Sequence, residues 1–123
     1  MMLSDLKIVP SHESPLKGRI EGMGNYIYEI YGPFGQGCNI RVAGGSGTAT
    51  LQYNWRDGPD AEVRATSGHY MMSDESIRDD RGNNILRLSG STISTNWTDG
   101  LLISLFAVNH HFARKSGPFL RRQ

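Results

Sequence analysis

His110 and His111 are an adjacent pair whose type suits metal chemistry, while His12 and His69 stand far away along the chain. On a strand, adjacent residues point to opposite faces, so two neighbouring imidazoles there cannot share one ion. No Glu follows at the helical spacing that a zinc hydrolase needs. The expectation is ordinary hydrogen-bonded or solvent-facing histidines. Asp57, Asp60 and Glu62 form one group of hard oxygen donors, and Asp74, Glu75, Asp79, Asp80 and Asn83 form another. Neither follows the ligand spacing of a calcium loop, and Arg78-Asp79-Asp80-Arg81 reads as a self-neutralised surface loop. Cys38 falls on an inward-alternating strand position, where a cysteine acts as a small hydrophobe. Pairing it with His69 or His110 as a nucleophile lacks any local group to activate the thiol. No serine lies in a Gly-x-Ser-x-Gly turn, and Gly44-Gly45-Ser46-Gly47 lacks the Lys-Ser/Thr of a phosphate loop. No catalytic residue, metal ligand or cofactor site is expected.

Composition sets the frame that must position whatever these residues do. The chain has 123 residues, 37% of them hydrophobic, with 15 glycines and a formal net charge of +1. That balance lacks the basic excess of a nucleic-acid binder. Disorder needs few large apolar residues together with a high net charge, and the charge here is near zero. A single cysteine excludes an internal disulfide framework and a cysteine-built zinc site. No apolar run approaches the roughly 18 residues of a membrane span, and the first residues carry Asp5 and no apolar core of a secretory signal.

Three zones separate along the chain. Residues 1–24 scatter Leu3, Leu6, Ile8, Val9, Leu16 and Ile20 among Pro10, Pro15 and several glycines, which predicts an extended N-terminal arm lying on something else. Residues 25–109 form the body, where apolar residues recur with period two. Tyr26, Tyr28 and Ile30 alternate with Ile27, Glu29 and Tyr31; Cys38, Ile40 and Val42 with Asn39 and Arg41; Ala49, Leu51, Tyr53 and Trp55 with Thr48, Thr50, Gln52 and Asn54. Ala61, Val63 and Ala65 follow, then Leu86 and Leu88, then Ile93, with turns at residues 43–47, 56–60 and 89–92. A polar stretch from Ser73 to Asn84 leaves room for a short helix at Asp74 to Asp80. The run Gly100 to Val108 predicts a closing strand with Leu101, Ile103, Leu105 and Ala107 on one face. Leu102, Phe106 and Val108 are apolar on the other, which places that strand under a covering arm or at a subunit contact. Residues 110–123 form a basic C-terminal tail with Phe112, Phe119, Arg121 and Arg122. The fold expected is all-β, an antiparallel β-sandwich of jelly-roll or immunoglobulin-like type with extended arms.

The segment Gly47-Thr-Ala-Thr-Leu-Gln-Tyr-Asn-Trp-Arg-Asp-Gly58 carries a further pointer, together with the upstream Gly-Pro-Phe-Gly-Gln-Gly turn and the closing Leu-Leu-Ile-Ser-Leu-Phe-Ala run. It resembles small β-sandwich structural proteins of tailed-bacteriophage virions, among them head decoration or cement proteins, head fibres and tail accessory proteins. The resemblance implies a non-enzymatic component of a virion. Its partners would be capsid, portal or tail subunits and copies of itself, with no direct nucleic acid and no membrane. The residues expected to clamp neighbours are Leu6, Ile8, Val9, Leu16 and Ile20 in the first arm, Leu102, Phe106 and Val108 on the last strand, and Phe112, Phe119, Arg121 and Arg122 in the tail. The alternative is a carbohydrate-binding module using Trp97 and Tyr70 (with Tyr31 a further aromatic candidate), and a poorer one is a small jelly-roll enzyme using His110 or His111. Asn96-Trp97-Thr98 also fits the glycosylation pattern, which has meaning only in a secreted eukaryotic chain.

Overall fold

Period-two alternation builds ten strands in the computed structural model, which describes residues 1–32, 37–45, 47–54, 61–95 and 99–116. After a single 3-10 turn at Leu3–Asp5 come β1 (Lys7–Pro10), β2 (Lys17–Glu21), β3 (Tyr26–Tyr31), β4 (Gly37–Gly44) and β5 (Gly47–Asn54). Then follow β6 (Ala61–Ala65), β7 (Gly68–Met72), β8 (Ser76–Asp79), β9 (Asn84–Ser89), β10 (Thr92–Thr95) and one helix, α1 (Gly100–Ser116). Each strand pairs antiparallel with the next in sequence, giving one ten-stranded meander. The central pair β4–β5 is in register from Gly37↔Asn54 to Gly44↔Gly47, so the predicted glycine-rich connection does close a hairpin. At the β9–β10 turn, Gly90 has φ 63°, a conformation that side chains with a Cβ seldom adopt.

One face of this sheet is apolar because the alternation is strict. Ile20, Tyr28, Ile30, Ile40, Val42, Leu51, Val63, Met72, Ile77, Leu86 and Ile93 are all buried. They surround α1, whose residues from Leu101 to Asn109 are buried without a break. A helix covered on every side lies inside the curl of the sheet. The sheet remains open between β1 and β10 except where Met2 forms a bridge with Thr92.

The chain is thus mostly β, but one curled sheet around a helix stands in place of the two packed sheets of a sandwich. The expected closing strand from Gly100 to Val108 is the first half of α1. An apolar run with both alternate faces hydrophobic fits a doubly buried strand and a buried helix equally; length arbitrates, and seventeen residues is helical. Asp99 starts it, its Oδ1 accepting the Leu101 N–H at 3.0 Å and its carbonyl the Ile103 N–H at 3.2 Å. The same carboxylate accepts a hydrogen bond from Ser67 Oγ at 2.9 Å, and that hydroxyl lies 2.9 Å from Tyr70 Oη, so the helix start is tied to the β6–β7 hairpin.

The expected N-terminal arm is likewise part of the fold. Residues 7–10 and 17–21 are β1 and β2, with Ile8↔Ile20 and Gly18↔Tyr28 in register. Pro10 ends β1, where its missing N–H costs no interior ladder bond. The short helix expected at Asp74 to Asp80 is instead β8, whose single inward residue is Ile77. The tail begins as the second half of α1, and residues 117–123 lie outside the described set.

Candidate functional site

Among the described residues the large hydrophobic side chains left exposed are Met1, Met2, Ile27 and Tyr31. Two of these, Ile27 at 63% and Tyr31 at 37% exposure, share the outer face of β3. They point outward because Tyr28 and Ile30, the alternate residues, point into the core. Ile27 pairs across strands with Arg19 on β2 and Ala43 on β4. The next outward row is Lys17, Glu29 and Arg41.

A groove of about 340 Å³ opens along these rows, lined by Lys17, Gly18, Ile27, Glu29, Arg41 and Ala43 together with Ser11 and Tyr28. Its charges are partly paired: Arg41 Nη2 donates to Glu29 Oε1 at 3.2 Å, while the Arg19–Glu21 pair at 2.8 Å borders it. The Arg19 guanidinium, hydrogen-bonded to Glu21, holds that carboxyl below the usual carboxylate range. Exposed pairs of this kind are screened by water and contribute little, so they shape the outer face and do not hold the fold. Beneath, Tyr28 Oη donates to the Pro15 carbonyl at 3.0 Å, and burial pushes its phenol pKa up.

A second groove, of about 370 Å³, lies at the opening between β1 and the β9–β10 turn. Leu3, Leu6, Ile8 and Ala107 are its apolar lining and Ser4, Ser91, His110 and His111 its polar lining. The two histidines both line it because consecutive residues of a helix stand ~100° apart, whereas on a strand they would point to opposite faces. Among the described residues no three His, Cys, Asp or Glu side chains gather where they could hold a metal ion.

The residues expected to clamp neighbours divide into distinct groups. Leu102, Phe106 and Val108 are 1%, 0% and 0% exposed on α1, so they serve this chain's own core and present nothing to a second subunit. Ile20, Leu6 and Phe112 are also buried, and the Phe112 ring stands 5.7 Å from that of Tyr28. Leu16 is half-buried against the core, Ile8 lines the second groove, and Val9 is half-buried on β1. Phe119, Arg121 and Arg122 lie outside the described residues, as do Trp55, Asp57, Asp60, Trp97 and the side chain of Cys38. Tyr70, expected in a sugar-stacking loop, is buried on β7.

The acidic groups act locally. Asp79 Oδ1 accepts the N–H groups of Asn83 and Arg81, each at 2.9 Å, and these bonds, Asn83's first, lower its carboxyl pKa. Glu62 accepts from Arg64 Nε at 2.8 Å and is lowered chiefly by that bond. Sequence reasoning missed Ile27 as a surface residue, since only Glu29 among the alternate residues 27, 29 and 31 is charged and Ile27 itself is apolar. The chain matches no family model, no curated protein and no solved structure.

Proposed function

We propose that the protein is a non-enzymatic assembly component that meets its neighbours through the outer face of β2–β4, and that the assembly is a bacteriophage particle. One observation carries the assembly reading: Ile27 is 63% exposed beside an open groove on a sheet whose inner face is already filled by α1. The outer face of a half-buried sheet is normally polar, and a branched apolar residue there is spare for an intermolecular contact. Lys17, Glu29 and Arg41 form a charged row beside it, and an interface joins an apolar contact to a wet, polar edge. The phage setting comes from the resemblance of the β5 hairpin region alone, because the leucine-rich run that shared in it is helical.

Ile27→Asp tests this reading, since an outward position tolerates a charge without loss of fold. The wild-type chain should form a defined oligomer in light scattering, or join purified phage particles in co-sedimentation. The variant should keep its circular dichroism spectrum and lose at least tenfold in association. A folded variant that associates as well as the parent overturns the interface.

A further inference from the structure

The two ends of the sheet are joined by very little chain. Ile93 N–H donates to the Met1 carbonyl at 2.7 Å, Leu3 N–H donates to the Ser91 carbonyl at 2.8 Å, and the Met1 amine reaches the Ile93 carbonyl at 3.4 Å. Met2 and Thr92 face each other between these bonds. Met1 and Met2 are 46% and 42% exposed, so backbone bonds and the half-buried Leu3 hold this clasp, with little burial of its own. Leu3 lines the groove together with Leu6, Ile8 and Ala107.

Behind the clasp stands a ready hinge. The turn at Leu3–Asp5 is closed by Asp5 N–H to the Met2 carbonyl at 3.0 Å, Leu6 N–H to the Leu3 carbonyl at 3.1 Å, and Met2 N–H to Asp5 Oδ2 at 3.0 Å. The chain on its far side is fixed, for Leu6 is buried and β1 is paired to β2. Straightening the turn releases the first five residues to span about 17 Å.

We infer that β10 accepts the Met1–Leu3 segment of a second copy of this chain in place of its own, so that neighbouring copies are joined by exchanged clasps. The inference rests on the assembly reading and supplies the means of joining. The occupant is identified by what already sits there: the β10 edge takes this segment, with these bonds and with Leu3 in the groove. An exchanged copy remakes the bonds to Ser91 and Ile93 and the seat of Leu3, and loses the three bonds of the turn, so the exchange costs hinge opening and association, the reason swapped elements are a low-cost route to dimers. Reciprocal exchange closes a two-fold pair.

The test uses the full chain with Cys38→Ala as background. Met2 and Thr92 form the non-hydrogen-bonded pair between the flanking bonds, a geometry with Cα atoms ~4.5 Å apart that suits a disulfide. Met2→Cys and Thr92→Cys are placed on separate molecules, mixed at high concentration and oxidised. A covalent heterodimer is expected in at least tenfold excess over Met2→Cys mixed with Asn83→Cys. In the doubly substituted chain, oxidation should give the Met2–Thr92 linkage. Cross-linking at the control level overturns the exchange, and so does failure of the double variant to form that linkage. If the cross-link fails while Ile27→Asp still abolishes association, the exchange falls and the β2–β4 interface stands.

Discussion

Ser104 and Tyr70 show two outcomes for a polar group inside this molecule. The Tyr70 hydroxyl is buried but lies 2.9 Å from Ser67 Oγ, within the network that ends on Asp99. Ser104 sits in the middle of α1, wholly buried, and its Oγ has no hydrogen-bond partner among the described residues. A buried hydroxyl left in that state loses its hydration for nothing, at a cost of about 1–3 kcal/mol. Serine is also a weaker helix former than alanine by several tenths of a kcal/mol. Ser104→Ala removes one atom, and the small void it leaves offsets part of the gain. The variant should therefore be more stable by about 1 kcal/mol, seen as a higher denaturant midpoint at unchanged slope. A lower midpoint would show that the hydroxyl is satisfied within the fold.

Elements here are placed by close backbone approach as well as by alternation, and Gly18 is where β1 depends on it. A Cβ at that position would collide with the Val9 carbonyl oxygen, come within 2.9 Å of Pro10 Cα and meet the Tyr28 ring at 2.7 Å. Two of those obstacles are backbone, which cannot rotate away. Gly18→Ala should push β1 off β2 and destabilise the protein by about 1–3 kcal/mol, with the β1 amides losing exchange protection first. Protection of β1 equal to that of the parent would refute this. The same crowding explains why β1 and β2 were hard to see in the sequence: prolines and glycines that normally mark loops here mark a short edge strand and a tight contact. By contrast β3 to β6 were legible, because Tyr28 and Ile30, Ile40 and Val42, Ala49 and Leu51, and Ala61 and Val63 repeat with period two and each is buried. β8 carries one inward apolar residue, Ile77, too few to show a period. The helix was misread because its enclosure by a single sheet makes every face apolar, which erases the periodicity that distinguishes helix from strand. Ile27 was visible as an alternate residue but not as a surface one, and the pairing of Met2 with Thr92 joins residues too distant in sequence for any local pattern to reveal.

At the scale of the whole molecule, the order of the chain and the order of the sheet coincide, so every strand pairing is local. The part that fills the sheet, α1, comes last. Ten strands with one apolar face have nothing to bury it against until that helix enters, so the central interactions of the fold are those between α1 and β3, β4 and β5. Phe106 on α1, with 0% exposure, is the largest of the fully buried side chains among the described residues. Phe106→Ala should cost about 3–5 kcal/mol, a large part of the roughly 5–15 kcal/mol that a domain commonly has. The clasp at Met1–Leu3 belongs to a different class, since it rests on a few backbone bonds at partly exposed residues. Native-state hydrogen exchange separates the two. The amides of Leu3 and Ile93 should exchange through local opening, at rates that Phe106→Ala leaves within about twofold. The amides of β4, β5 and α1 should exchange only through global unfolding and speed up by the full factor of ~150 or more that 3 kcal/mol implies. If seam and interior accelerate together, the clasp is part of one cooperative unit, and its release could not precede unfolding as an exchange between copies requires.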